Sequence, residues 1–376
     1  GDAWARDRKS LLLQATNLTE HLARKERENR IRTVGPTELA NATKQLAHSF
    51  DGIHGGFSPA PKFPAAAAIS LLLRHYRSNG DDHALHMATH TLDCMALGGI
   101  YDHLGGGFAR YSTDEKWLVP HFEKMLYDNA LLIRTYCEAW QITQSPLYER
   151  VIRETLDFVL RELTQERGGF SSALDADTEG EEGLFYIWSR DELTEVLGPE
   201  DADFFAQLYD VTPEGNWEGS NVLHLNRSLE NEAAERGEAD VVSFIARVDA
   251  MRATLMQARN PRTQPAVDDK VLTSWNAMMI GAMAMGFRVT GETRYLESAI
   301  RAADFIEHAL TDGERLLRTY RDDHAHLSGY LEDYAHMGEA LIDLYEASGE
   351  GRFLTRATML LETMIRDFGE PGGAFY

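Results

Sequence analysis

Carboxylates, histidines and aromatic rings gathered in glycine-rich loops are the residues of this 376-residue sequence that could do chemistry. Four loops concentrate them. The first, Gly98 to Tyr111, holds Tyr101, Asp102, His103, Arg110 and Tyr111 among closely spaced glycines, which permit backbone shapes and ligand approaches closed to other residues. The second, Trp117 to Asp128, carries Glu123 and sets His121, Lys124 and Asp128 three and four residues apart, on one helical face. A histidine between carboxylate and ammonium groups can exchange protons near neutral pH; the same residues solvated would only cap a helix. The third, Ser171 to Gly183, offers Asp175 and Asp177 in a carboxylate cluster that either lines a cavity or faces water. Its start mimics an EF-hand, but the twelfth position is Tyr186 where a bidentate Glu is needed, so calcium is not expected. The fourth, Asp268 to Asn276, places Asp269 and Lys270 ahead of Trp275 and Asn276. An aromatic face beside amide and carboxylate groups suits a sugar, and buried capping would use the same residues.

Other chemistries drop out. Cys94 and Cys137 sit in helical patterns without a CxxC spacing and read as small buried hydrophobes. His121 is not part of His-Glu-x-x-His, and no serine-nucleophile elbow, Cys–His pair or Walker motif occurs. No metal and no cofactor is expected.

A repeat supplies the elements that must position these loops. Segments starting at Asp128, Trp275 and Asp333 each run as an apolar helical pattern and break at the same offset, at Thr143-Gln144, Thr290-Gly291 and Ser348-Gly349. An aromatic follows at a shared offset in each (Tyr148, Tyr295, Phe353), and further on come Phe170, Leu317 and Phe375. Residues Trp275 to Val289 are apolar around most of the cylinder, the mark of a buried helix, whereas Tyr295 to Leu310 shows a one-sided stripe. An inner helix, an outer helix and a repeat describe a double-layered ring. Further pairs are expected at 9–30 with 36–50 and 64–79 with 82–97, with an irregular stretch from 190 to 259. Leu184 to Trp188 reads as a strand, and 227–239 as an exposed polar insertion.

With 60 acidic against 37 basic side chains, the net charge is −23. Such a surface repels nucleic acid and anionic membrane, neither of which is expected as a partner. No stretch has the roughly 18 consecutive apolar residues of a membrane span, and two cysteines suit the reducing cytoplasm. No composition break divides residues 1–376, which read as one toroid-like domain cut from a longer chain.

Gly55-Gly56-Phe57 leading to Lys62-Phe63-Pro64 forms a set with the Gly99-to-Tyr111 run, Pro120 to Asn129, Ala173 to Asp177, Asn216 to His224 and Asp269 to Asn276. Together they resemble the spermatogenesis-associated, thioredoxin-domain-containing family over about residues 36 to 376. The resemblance implies an all-α, six-hairpin (α/α) toroid similar to glycosidases and N-acylglucosamine 2-epimerases. It also implies a preceding thioredoxin-like domain, to which residues 1–30 would be a linker helix, and a ring that need not close within this chain. Toroid epimerases use histidines, here His103 and His121; inverting toroid hydrolases use two carboxylates, here drawn from Asp175, Asp177 and Asp333. Trp117 and Trp275 would be platforms for a sugar. Tyr101, Asp102, Arg110, Tyr111, Glu123, Lys124, Asp128, Trp217, Asp269, Lys270 and Asn276 would complete its site. The alternative is a non-catalytic helical scaffold serving the thioredoxin-like domain or another partner.

Overall fold

The repeat is a helical hairpin, and its shared breaks have one physical cause. Gln144, Gly291 and Gly349 end their helices in the left-handed conformation, with φ of 56°, 74° and 74°, which closes the last turn and reverses the chain. The aromatics that follow, Tyr148, Tyr295 and Phe353, are buried in every copy and pin the outer helix to the inner one. The computed structural model describes residues 4, 6–28, 35–370 and 375.

In chain order, α1 (Arg8–Glu28) and α2 (Pro36–Ser49) precede the hairpin of α3 (Ala66–Asn79) with α4 (Asp82–Leu97) and that of α5 (Leu126–Thr143) with α6 (Pro146–Phe158). Four helices follow: α7 (Arg190–Leu197), α8 (Pro199–Leu208), α9 (Leu229–Glu235) and α10 (Val241–Arg259). The hairpins of α11 (Thr273–Thr290) with α12 (Thr293–Ala309) and α13 (Leu331–Ser348) with α14 (Gly351–Phe368) complete the described chain. Helices α3, α5, α11 and α13 pack side by side as the inner layer, each backed by its outer partner. In α11, eleven residues from Thr273 to Gly286 are buried, as expected of an inner helix, while α12 buries one stripe from Tyr295 to Ile306.

Four expectations are corrected. The pairing of 9–30 with 36–50 does not form a ring hairpin: α1 is exposed along nearly all its described side chains, and α2 rests on α3 and α4. Residues 29–30, and part of the 1–30 linker segment, lie outside the described residues. The stretch 190–259 builds a second hydrophobic core around Trp188, Phe205, Tyr209 and Val248 instead of another inner–outer pair. Within it, 227–239 is not merely exposed, because Ser228 caps α9 and buries Leu229 and Ala233. Leu184 to Trp188 is a turn, with only Trp188 bridged to Asn221. Gly183, at φ 75°, lies so tightly on Phe122 that a Cβ would approach its ring to 2.4 Å, and the chain bends there instead of extending.

Short ladders bind the loops at one end of the inner helices. β1 (Tyr111–Ser112) pairs with β2 (Pro120–His121), placing Tyr111 opposite His121. β3 (Lys124–Met125), β4 (Ala173–Leu174), β5 (Asp177–Thr178), β6 (Glu181–Glu182) and β7 (Val267–Asp268) follow. They give a β3–β4–β7 sheet and a β5–β6 hairpin with Asp177 opposite Glu182. β8 (Val271–Leu272), β9 (Thr311–Asp312), β10 (Arg315–Arg321) and β11 (His324–Ser328) form the remaining sheet, centred on β10.

Candidate functional site

An axial cavity of about 180 Å³ opens between the inner helices, lined among others by Leu131, Arg134, Met278 and His336. Asp128, Trp275 and Asp333, the first residues of the three repeat copies, stand one helical turn before Leu131, Met278 and His336, at the mouth end of this cavity without lining it, Asp128 and Trp275 half-buried and Asp333 fully buried. Inside it, Arg134 pairs with Asp343 and Glu339, while Glu138 accepts from Ser70 at 2.5 Å and from Arg74 at 2.8 Å.

Asp128 is the third residue of α5. Its Oδ2 is buried with no hydrogen-bond partner among the described residues. Burial raises its pKa to about 7, outweighing the opposing pull of Arg110 and the neighbouring Tyr127 hydroxyl. A carboxyl so placed exchanges its proton near neutral pH. Around it, Tyr127 leans on Trp275 with ring centroids 4.8 Å apart, and Arg110 Nη1 donates to Glu123 Oε2 at 2.9 Å. The β1–β2 pairing stacks Tyr111 on His121 at 5.0 Å, and Phe63 lies 4.8 Å from Tyr111 on its own account. His121 Nδ1 lies 2.6 Å from Glu182 Oε1, which the β5–β6 hairpin holds there, and Nε2 lies 3.7 Å from Glu123. The mouth therefore combines a proton-exchanging carboxyl, a histidine between two carboxylates, one guanidinium and several ring faces.

Other expected site residues are placed elsewhere. His103 is buried, with Nε2 3.0 Å from the Gly98 carbonyl oxygen; burial, then the nearby Arg252 charge, lowers its pKa to about 4. It stays neutral at physiological pH and lies behind the mouth. Tyr101 is buried beside it and donates to Glu154 at 2.6 Å, while Arg252 clamps the same carboxylate at 2.7 and 2.8 Å. Asp102 accepts from both terminal nitrogens of Arg259 and from Lys124, all at 2.9 Å. Burial disfavours its charge, yet Arg259 and Lys124 together hold its pKa well below the usual carboxylate range.

Trp117 is wholly buried and donates Nε1 to the His54 carbonyl at 2.8 Å, so its ring is a core wall rather than an open platform. Asn276 receives the Phe170 amide at 2.7 Å and donates to the Phe170 and Leu272 carbonyls. Asn129 does the same for Phe108, and both amides therefore splice a Gly-Gly-Phe turn to an inner helix. Asp333 is fully buried, caps the amides of Ser274 and Tyr330, and meets Arg318 at 3.1 Å. Burial raises its pKa against those contacts, and every contact it makes is structural.

Asp175 and Asp177 are exposed, and the Asp175 carboxylate accepts from the Asp177 amide at 3.2 Å. Trp217 leans on Phe122 at 5.4 Å. Asp269 pairs with Arg321 and Lys270 with Asp268 at the outer strands. Sequence reasoning singled out neither Glu182 nor Tyr127 as site residues. Glu182 is one of several acids in its loop, and only the hairpin register selects it.

No protein-family model matches the chain. Human spermatogenesis-associated protein 20 is 36% identical over 418 aligned residues, spanning 100% of this chain and 53% of the human protein. The mouse protein is 34% identical with the same coverage, and an uncharacterised Caenorhabditis elegans protein is 31% identical over 87% of this chain and 50% of its own length. The chain is a homologue of the spermatogenesis-associated protein 20 family. It spans about half the length of these relatives.

Among solved structures, unsaturated glucuronyl hydrolase from Bacillus sp. GL1 aligns at a TM-score of 0.51 and 14% identity, covering 89% of this chain and 67% of that one. A family 76 glycoside hydrolase (mannosidase) from Bacteroides thetaiotaomicron aligns at 0.51 and 10% identity, covering 88% and 71%. These likenesses show the fold, a mostly helical (α/α) toroid with short strands, of which the described residues hold four inner–outer hairpins.

Proposed function

We propose that the ring mouth is an acid/base site for a carbohydrate, acting in the manner of a glycosidase or sugar epimerase. The observation that carries this reading is the Asp128 carboxyl, whose buried Oδ2 has no partner among the described residues and whose pKa burial raises to about 7 at the mouth end of the axial cavity. Protonated, it can donate to a glycosidic or ring oxygen; ionised, it can take a proton from carbon or water. His121, between Glu182 and Glu123, is the second proton-handling group. Tyr111, Tyr127 and Trp275 supply faces for sugar C–H groups. Arg110 and Glu123 are placed to bind hydroxyls. In this reading, His103, Trp117, Asn276 and Asp333 support the fold, and Asp175 and Asp177 stand outside the reacting centre.

Saccharide stabilisation of the full chain, followed by thermal shift alongside hydrolase and 2-epimerase assays, tests it. A stabilising sugar should raise Tm saturably, and Asp128→Asn should cut its turnover at least about 100-fold while retaining binding. Absence of any stabilising saccharide would sink the reading. That outcome would favour the scaffold alternative, which the inward-facing clamps of Asp102, Asn129 and Asn276 would serve equally well.

A further inference from the structure

A second cavity, of about 160 Å³, lies between the β3–β4–β7 sheet, the end of α6 and the C-terminal end of α10; Asp102, Lys124, Arg161, Glu162, Tyr186 and Arg259 line it. We infer that it binds a small oxyanion, the carboxylate or phosphate group of a small molecule, through Tyr186, Arg259 and Arg161. Two features of its wall point to an anion.

The first is the charge of the wall. Lys124 and Arg259 share the single Asp102 carboxylate, and both cations are almost completely buried. Arg161 adds a third cation, paired with Glu162 at 2.7 Å, so three positive groups face two carboxylates. Asp102 repels an incoming anion only weakly, because its oxygens already accept from Arg259, Lys124 and the amides of Leu104 and Gly105. Surplus buried positive charge is unfavourable unless something offsets it.

The second is unpartnered donors. The Tyr186 hydroxyl and Arg259 Nε are buried without a hydrogen-bond partner among the described residues, and both residues are at least nine-tenths buried. An arginine Nε can only donate, so its missing partner is an acceptor. A metal cation would meet donors and like charge. A neutral ligand would leave the surplus charge in place, whereas an oxyanion accepts from both groups and offsets it. Lys124, pushed down to about 8 by burial against the pull of Asp102, would be held in its charged form by such a ligand. The cavity greatly exceeds the roughly 30 Å³ of one water in the liquid, leaving room for an oxyanion with a short substituent.

The test titrates the full chain, in a buffer free of oxyanions, with inorganic phosphate and with acetate, using sodium chloride at matched ionic strength as control. Calorimetry and thermal shift are the readouts. One of the two oxyanions should bind saturably where chloride does not, and which one does identifies the group. Tyr186→Phe removes a donor and leaves every ion pair, and should weaken binding about tenfold. Arg161→Gln should weaken it similarly, and Asp128→Asn at the ring mouth should leave it unchanged. No saturable binding overturns the inference. Binding that Tyr186→Phe and Arg161→Gln leave untouched, which would mark an adventitious ion only, overturns it as well.

Discussion

Asp128 and His103 are both titratable and buried against their charged forms, yet they make stability depend on pH in opposite directions. Between pH 3.8 and about 7 the unfolded Asp128 is ionised while the folded carboxyl keeps its proton. The folded state then holds more protons, so this group makes stability fall as pH rises through that window. Asp128→Asn should remove the fall and be more stable than wild type at pH 8 by about 4 kcal/mol in urea unfolding. His103 works the other way. Below pH 6.5 the unfolded imidazole takes a proton that the folded one refuses until about 4, so its contribution is present above 6.5 and is lost as pH falls. His103→Gln should flatten the acid limb by about 3 kcal/mol between those values. In any assay of turnover, it should leave the neutral-pH profile in place, because His103 is already neutral there. A variant that moved that profile would restore His103 to the reacting centre.

At the level of elements, the splices between loops and inner helices decide whether the mouth exists. Asn129 and Asn276 each satisfy an amide and a carbonyl of a buried Phe, and truncation leaves those groups unpaired inside the protein. Asn276→Ala should lose about 2–4 kcal/mol by chemical denaturation. Tyr334 makes the corresponding link in the third copy, its hydroxyl accepting from the Leu316 amide, so a tyrosine there holds the amide half of the joint. Gly107 is fixed by both φ and space. At φ 83° a Cβ would lie 2.5 Å from the Phe158 ring, and Gly107→Ala should therefore cost at least about 2 kcal/mol or prevent folding. Thermal unfolding of the soluble fraction measures the loss.

At the scale of the whole molecule, the described residues are a row of inner–outer hairpins with a second core docked on their outer layer. Arg252 on α10 reaches Glu154 on α6 in two bonds, and Arg150 on α6 reaches Asp249 on α10 at 2.7 Å. Removing one partner of a buried pair leaves an uncompensated charge, so Arg252→Met should destabilise the chain by about 3–5 kcal/mol. The double variant Arg252→Met with Glu154→Gln should recover part of that loss, because neither charge then remains alone. Hydrogen exchange should show the damage first in α7 to α10, which bury their own core.

The hairpin repeat was legible because it depends on local chemistry. Helical periodicity marks inner and outer helices, left-handed helix ends demand glycine or a tolerant residue, and a buried aromatic recurs at a fixed offset. The clustering of Arg110, Tyr111, His121, Glu123 and Asp128 was legible too, since short chain segments carry them to one end of one helix. Which buried polar residue reacts and which one braces was decided in tertiary structure. His103, Trp117, Asn276 and Asp333 have the same chemistry on paper as groups at an open site, but each is enclosed by partners from remote segments: Arg252, His54, Phe170 and Ser274. Asp128 is set apart by a buried oxygen that has no hydrogen-bond partner among the described residues. Desolvation and hydrogen bonding are set by neighbours distant in sequence, so proton affinity and solvent access arise only when the ring is assembled.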